Sequence, residues 1–448
     1  MATGAAGLEI CTIGGFTKTE GNSVAVKVDN EVVILDMGLS MEDYIRYTED
    51  LEDTSAKTYS QLLKANAVPD YGFISDWKEK VIAILPTHGH LDHVGAVPFA
   101  AGMFPTAPII CTAYTAEVLK TILMDDEMQI PNKVIVLNSN ATYKLSEKIT
   151  VEFVHVTHSI PHTVIIVLHT PHGKLVYAND FKFDLEPLLG PKPNLKRLKE
   201  LGDEGVQVLI VDSLYAHLHK KTPSESVARH MLQEVMLKTE SKGRAMIVTT
   251  FSSHIARLKS IIEMGEKLER KIVFVGRSLD KYCRAAENLE LVDFSKKVMM
   301  MRSRDHAERM FKRIEKEGRD KYLIVCTGHQ GEPKAVLSRI ARRETSFEFR
   351  AGDIVVFSCQ TIPVEINIEQ RKKLEESLKA QKVRMFCDVH VSGHGALEDH
   401  REMFELVRPK HIIPIHVGNE KAKMLANFAA TMGYKSTHIM QDGKRIML

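Results

Sequence analysis

Thr87-His88-Gly89-His90-Leu91-Asp92-His93 stands between an apolar run, VIAIL (81–85), and the stretch VGAVPFAAGMF (94–104). Three imidazoles and one carboxylate fall within six positions. These are nitrogen and oxygen donors of the kind zinc prefers. On a turn between a strand and a helix, His88 and His90 can point to one metal. Asp92 and His93, entering the helix, can point to a second. A lone histidine at a strand end is an ordinary rim residue; four such groups at this spacing are not explained that way.

Two metal sites need more ligands than these. His158 closes ITVEFVHVTH (149–158), Asp180 closes LVYAND (175–180) and His416 closes HIIPIH (411–416). Each ends an apolar strand, where the side chains of a sheet converge on one rim. An Asp can bridge two cations, because each carboxylate oxygen can take one. Asp36, ending EVVILD (31–36), is suited to hold a ligand imidazole by its other nitrogen.

The 448 residues are too many for one compact core and suit two or three domains. The hydrophobic share of 44% and charged share of 26% are ordinary for a soluble globular protein. No apolar run approaches the roughly 20 residues of a membrane span, so no membrane association is expected. Met1 to Leu8 carries no basic region before an apolar stretch and does not read as a secretory signal. The cysteines, Cys11, Cys111, Cys283, Cys326, Cys359 and Cys387, form no Cys-x-x-Cys pair. Buried thiols in a reducing cytoplasm are expected. A net charge of +2 neither demands nor excludes a nucleic-acid partner.

The first 205 residues read as strands and hairpins. VAVKVD and EVVILDMG flank a turn at Asn30, and a Pro-His-Gly turn lies at 171–173. Residues 41–80 are polar and irregular, with a helical stretch from Met41 to Lys64. From about 206 the rhythm changes. VQVLIVDS, AMIVTT, KIVFVG and YLIVCTG are short apolar strands, and Ser224 is placed to cap a helix reaching Lys238. Strands alternating with helices imply a parallel α/β unit. DIVVFSC and MFCDVHV return to strand, and the helices LEDHREMFELVR and EKAKMLANFAATMG flank HIIPIHV. The expected division is 1–205, 206–354 and 355–448, with the middle part inserted into the domain formed by the other two.

THGHLDH (87–93), the Asp of ILDMG (34–38), the His of THSIPH (157–162), the Asp of ANDFKFD (178–184) and the His of IPIH (413–416) together resemble the motifs of the metallo-β-lactamase superfamily. The resemblance covers nearly the whole chain. It implies an α/β fold, an αβ/βα four-layer sandwich, with two zinc ions (two Zn2+ per chain) at the sheet rim. It assigns His88, His90 and His158 to one zinc, Asp92, His93 and His416 to the other, and Asp180 to bridge them. Asp212 of VDSLYA, His394 of HVSGHG and His416 resemble three motifs of the β-CASP nucleases, in which an α/β domain is inserted into the sandwich. TFSSHIARL (250–258), TGHQGEPKAVLSRIA (327–341), HVSGHG (390–395) and NDFKFD (179–184) are similar to the ribonuclease J family.

There are departures from that pattern. His162 stands where the family has Asp. The last strand is followed by His416-Val417-Gly418 rather than His-Gly, and FSCQTIPVE (357–365) only loosely resembles a Ser-rich, Pro-Gly segment. The chain ends at Leu448 without the extra C-terminal domain of the bacterial enzymes, which is similar to the archaeal short form.

The resemblance implies a zinc-dependent ribonuclease acting on single-stranded RNA. It implies processive 5′→3′ exonuclease activity preferring 5′-monophosphate ends, in RNA decay or processing, with room for endonuclease cleavage. Two zinc ions about 3.5–4 Å apart would activate water and neutralise the phosphate. Asp92 would also hydrogen-bond the nucleophile. His394 would stabilise the developing charge or protonate the leaving 3′ oxygen, and Asp212 would orient His394. HVSGHG and TGHQGE can offer N–H groups and hydroxyls to an anion. Ser252, Ser253, His390, Ser392 and Gly393 are expected at a terminal phosphate. The alternatives are a β-CASP endoribonuclease of the RNA 3′-end-processing type, a thioester or lactam hydrolase, and an RNA-binding scaffold. The inserted domain argues against the hydrolase, and the intact ligand set argues against the scaffold. The residues leave the oligomeric state open, a homodimer included.

Overall fold

The computed structural model describes residues 7–49, 57–362 and 364–448. Residues 1–6 of the N-terminal stretch, 50–56 of the helix expected over 41–64, and Pro363 of the 357–365 segment lie outside the described residues. The chain divides into two units, one of Met1–Leu185, Gly190–Thr222 and Gly393–Leu448, the other of Glu186–Leu189 and Pro223–Ser392. Strands are numbered in chain order.

The first unit holds two sheets. One contains β1 (Leu8–Gly14), β2 (Ser23–Val28), β3 (Glu31–Leu35), β4 (Val81–Leu85), β5 (Ile109–Cys111) and β6 (Val134–Val136), with β19 (Arg445–Met447) beside β1. The other runs in the order β18-β11-β10-β9-β8-β7, from β18 (His411–Ile415) through β11 (Val208–Asp212), β10 (Gly173–Ala178), β9 (Val164–Thr170) and β8 (Thr150–His155) to β7 (Thr142–Lys144). Alternation along the strands sends every second side chain to one core. Val24, Val26 and Val28 of β2 meet Val151 and Phe153 of β8, Ile166 and Leu168 of β9, and Ile210 of β11 there. Each such side chain contributes about 1.5–3 kcal/mol when fully buried. The opposite face of the second sheet is also buried. Val167, Val176, Leu209 and Ile412 pack on Leu198 and Leu201 of the helix Leu195–Glu204 and on Met403 and Phe404 of the helix Leu397–Val407. Burial on both faces explains the unbroken apolar runs VIIVL and VLIV.

The second unit is built on one sheet, ordered β14-β13-β15-β12-β16-β17. Its strands are β12 (Met246–Thr249), β13 (Lys271–Val275), β14 (Val298–Met301), β15 (Tyr322–Cys326), β16 (Ile354–Phe357) and β17 (Arg384–Phe386). All its pairings are parallel. Ser224 caps the helix Glu225–Lys238 as expected, its hydroxyl accepting from the Ser226 N–H.

Three expectations shift. β11 pairs with β10 and β18 inside the first unit, and β16, the helix Glu365–Ala380 and β17 belong to the second. The divisions therefore fall at 222/223 and 392/393, not at 206 and 354. An apolar parallel strand reads the same in either sheet; only its pairing partners decide. MFCDVHV is strand only as far as Phe386. The helix opened by Leu91 ends at Val94, and a second short one, Val97–Ala100, starts around Pro98.

Candidate active site

β8 and β10 both run antiparallel to β9, and β10, β11 and β18 are parallel. The carboxyl ends of β8, β10, β11 and β18 therefore share one edge of their sheet. His158, Asp180, Asp212 and His416 lie on or just beyond those ends, and Asp36 and the 87–93 turn follow β3 and β4.

The structure gathers all seven expected ligands. His88 Nε2 and His158 Nε2 lie 3.0 and 3.2 Å from His90 Nδ1. They lie 3.5 and 3.3 Å from Asp180 Oδ2. That same oxygen is 3.3 Å from His93 Nε2, which is 3.3 Å from Asp92 Oδ2. His88, His90, His158 and Asp180 form one group and Asp92, His93 and His416 another, the donor atoms in each within 4.8 Å of one another. Asp180, His394 and His416 form a third such group, an overlap the sequence did not suggest.

These residues fit a metal. Asp180 Oδ1 is buried and has no hydrogen-bond partner. A carboxylate oxygen removed from water is costly to leave unsatisfied, and a cation would satisfy it. Burial pushes His88 and His158 well below the ordinary imidazole range and His90 down to about 4. Neutral rings offer their lone pairs to a cation. Burial also opposes charge on His93, but Asp180, Asp92 and Asp36 outweigh it and hold that ring well above the ordinary range. Burial opposes the charges of Asp92 and Asp180 as well, and His93 foremost overcomes it and keeps both below the usual carboxylate range. The acid-rich half of the cluster thus demands a positive charge, which a metal supplies.

Asp36 takes the role its position suggested. Its Oδ2 is 2.8 Å from His93 Nδ1. Oδ1 accepts from the N–H of Thr87 at 2.7 Å, and Oδ2 accepts from the Tyr177 hydroxyl at 2.9 Å. His93 is thereby turned with Nε2 toward the cluster. His158 Nδ1 donates to the carbonyl of Gly393 at 2.7 Å. A Cβ on Gly393 would sit 2.8 Å from the Ser159 side chain and 3.0 Å from the His158 ring, so only glycine lets this segment approach. His416 Nδ1 lies 3.2 Å from Asn22 Oδ1. Asn179 Nδ2 donates to Asp36 Oδ2 at 3.3 Å; Asn22, Tyr177 and Asn179 were missed in the sequence. Nothing in one chain separates Asn22 from other residues of its Gly-rich turn, and Tyr177 reads as an ordinary core aromatic.

His394 Nδ1 is 2.9 Å from Asp212 Oδ2. Its Nε2 is 3.9 Å from Asp180 Oδ2, and its ring stacks on His416 at 5.3 Å and 15°. Burial works against a charge on His394, but Asp180 and Asp212 outweigh it and lift the ring to about 9. His162 lies in none of the ligand groups. Its carbonyl accepts from Thr112 Oγ1 at 2.9 Å and its ring packs edge-on against Tyr114.

In the second unit, Ser252 and Ser253 follow β12, and the Ser252 hydroxyl is 3.0 Å from that of Ser278. Phe251 contacts the His390 ring at 6.2 Å between centroids, which places His390 near this loop. Ser392 ends the unit, and Gly393 opens the return to the first. TGHQGE does less than expected. The Gln330 N–H goes to Glu332 Oε2 and the Gly331 N–H to the carbonyl of Gly328, so those two donors are already taken within the loop.

A facing pair of sheets with a His/Asp cluster at the strand ends defines a metallo-β-lactamase-superfamily protein, and the model of that superfamily matches residues 17–277. A second family model, Ribonuclease J, beta-CASP domain, matches residues 242–371. Ribonuclease J of Methanocaldococcus jannaschii is 41% identical over 98% of this chain and 98% of its own length. Ribonuclease J of Pyrococcus abyssi is 40% identical over 97% and 96%. Ribonuclease J 1 of Streptococcus pyogenes is 30% identical over 98% and 74%. The chain belongs to the ribonuclease J family. A crystal structure of a protein of unknown function from Enterococcus faecalis shares the fold, with a TM-score of 0.67 at 16% identity, covering 99% of this chain and 100% of that one. No helix among the described residues is long and apolar enough to cross a membrane.

Proposed function

We propose that this chain is a metal-dependent ribonuclease that holds two zinc ions and removes nucleotides from RNA in the 5′→3′ direction, preferring a 5′-monophosphate end. Asp180 carries the two-metal reading. One of its oxygens stands between the His88/His90/His158 group and His93, and the other is buried with no hydrogen-bond partner among the described residues, His416 Nε2 lying 4.0 Å from it. That is the environment of a carboxylate suited to two cations. Bound zinc would supply the Lewis acidity that activates water and neutralises a phosphodiester.

The chain's own groups divide the remaining work. Asp92 would help hold a metal and would orient the attacking water by accepting its hydrogen bond. His394, whose hold on a proton Asp180 and Asp212 raise, would give a proton from Nε2 to the leaving 3′ oxygen. Asp212 holds Nδ1 and fixes the ring. Ser252, Ser253, His390, Ser392 and Gly393 offer hydroxyl, imidazole and N–H donors to the terminal phosphate. HVSGHG carries Ser392, suited to a phosphate, and His394, suited to the leaving group, two positions apart. The six free cysteines support a reducing compartment, the cytoplasm.

RNA labelled at its 5′ end and bearing a monophosphate, triphosphate or hydroxyl tests this reading. A hydroxyl end forgoes charge-assisted hydrogen bonds of roughly 1.5–3 kcal/mol each. A triphosphate is bulkier and more charged, and is expected to fit a site shaped for a monophosphate poorly. The monophosphate RNA is expected to disappear fastest, with the label released first as mononucleotide. Equal rates on all three ends, with early internal fragments, would assign an endonuclease of the 3′-end-processing type instead.

A further inference from the structure

The second unit buries a complete guanidinium that this chemistry leaves unused. Arg257, on the helix Ile255–Lys267, has no exposed surface. Its Nε and Nη2 grip the two carboxylate oxygens of Glu225, which His254 Nε2 also approaches at 3.3 Å. That ion pair neutralises the charge and leaves donors to spare, since a guanidinium has five N–H groups. Nη1 reaches the carbonyl and the hydroxyl of Ser358, each at 2.9 Å. It also reaches the carbonyl of Val389 and Nδ1 of His390, each at 3.4 Å. Nη2 reaches the carbonyl of Val391 at 3.4 Å. The Ser358 hydroxyl in turn donates to the Val389 carbonyl at 2.9 Å.

These bonds converge on a stretch that secondary structure does not hold. Residues 387–392 follow β17 and belong to no helix or strand. Buried backbone carbonyls need partners, and outside helices and strands side chains can supply them. Here Arg257 and Ser358 do so at alternate residues, 389 and 391. A buried ion pair is poor evidence for stability, because desolvation consumes its Coulombic gain. Its geometric consequence is more specific. A donor at His390 Nδ1 makes that nitrogen an acceptor and puts the ring proton on Nε2.

We infer that Arg257 is a positioning residue for recognition of the RNA 5′ end: it fixes the 389–391 backbone and the His390 tautomer so that His390 and Ser392 face a terminal monophosphate. This rests on the 5′-end reading above. Arg257 does not itself meet the phosphate, because its N–H groups are directed to Glu225, Ser358 and the 389–391 segment.

The test compares RNAs that differ only in a 5′-monophosphate or 5′-hydroxyl, using the full chain and its Arg257→Lys, Arg257→Met and Ser358→Ala variants. Metal content is measured by elemental analysis alongside. The ratio of kcat/KM for the two ends is expected to fall by about tenfold in both Arg257 variants, chiefly through KM on the monophosphate RNA, with metal content unchanged. Ser358→Ala, which keeps the ion pair and removes the shared hydroxyl, is expected to give a smaller drop in the same ratio. It carries the test if the Arg257 variants do not fold. A residue with a purely structural role would lower both substrates together and leave the ratio intact, and that result overturns the inference. If the unaltered chain shows no preference, the 5′-end reading fails and the inference falls with it. If the unaltered chain discriminates and every folded variant discriminates equally, the inference alone fails.

Discussion

His394→Ala protein is expected to keep its metal and lose about 100-fold or more of its RNA turnover, the scale of a general acid removed. The ring is held by Asp212 at 2.9 Å, and Asp180 and Asp212 outweigh burial to raise its hold on a proton. A 3′ oxygen leaving without that proton departs as a poorly stabilised alkoxide. Elemental analysis and initial rates on the same sample decide the matter. Near-normal turnover would remove His394 from the chemistry. Loss of metal would make it a ligand, an outcome the Asp180/His394/His416 group makes worth checking. Asp212→Asn should give a smaller loss in the same direction, since the ring would lose a charge that sustains its proton but not its neighbour.

Asp180→Ala should do more, lowering both metal content and rate. Its Oδ2 lies 3.3 Å from His158 Nε2 and 3.3 Å from His93 Nε2, so its removal takes away the carboxylate expected to serve both groups. What remains is three residues in each set, His88, His90 and His158 against Asp92, His93 and His416. A tetrahedral site is completed by four ligands, and Asp92, the carboxylate that remains, belongs to one set alone. Full occupancy by two metals in the Asp180→Ala protein would defeat the bridging role.

The expected ligands were legible because a strand that ends on a polar residue announces a sheet rim. His158, Asp180 and His416 each follow an apolar run, and the 87–93 turn concentrates donors beyond what a surface turn needs. Asp36 was legible for the same reason. The aligning groups were not. Tyr177 gives its hydroxyl to Asp36 from within a core strand, and Asn22 meets His416 across nearly 400 residues of chain, at a separation of 394. Such partners are fixed by three-dimensional packing that no local pattern records. Domain limits failed for a related reason. β11 and β16 are both short, buried and parallel, and composition cannot say which sheet each will join. His162 was left without a role, and its packing on Tyr114 accounts for a side chain that the metal cluster does not use.

The placement of β18 has a consequence during translation. Domains fold in the order in which the ribosome releases them. All of Pro223–Ser392 must emerge before His411–Ile415 can pair with β11. Until then the nascent first unit has His88, His90, Asp92, His93, His158 and Asp180 but neither His394 nor His416, and β11 presents an unpaired edge of the kind that invites aggregation. The inserted unit can complete its own sheet during that interval, because β12 to β17 come from one continuous stretch. The seven expected metal ligands are therefore brought together only once β18, the last strand of the second sheet, is in place.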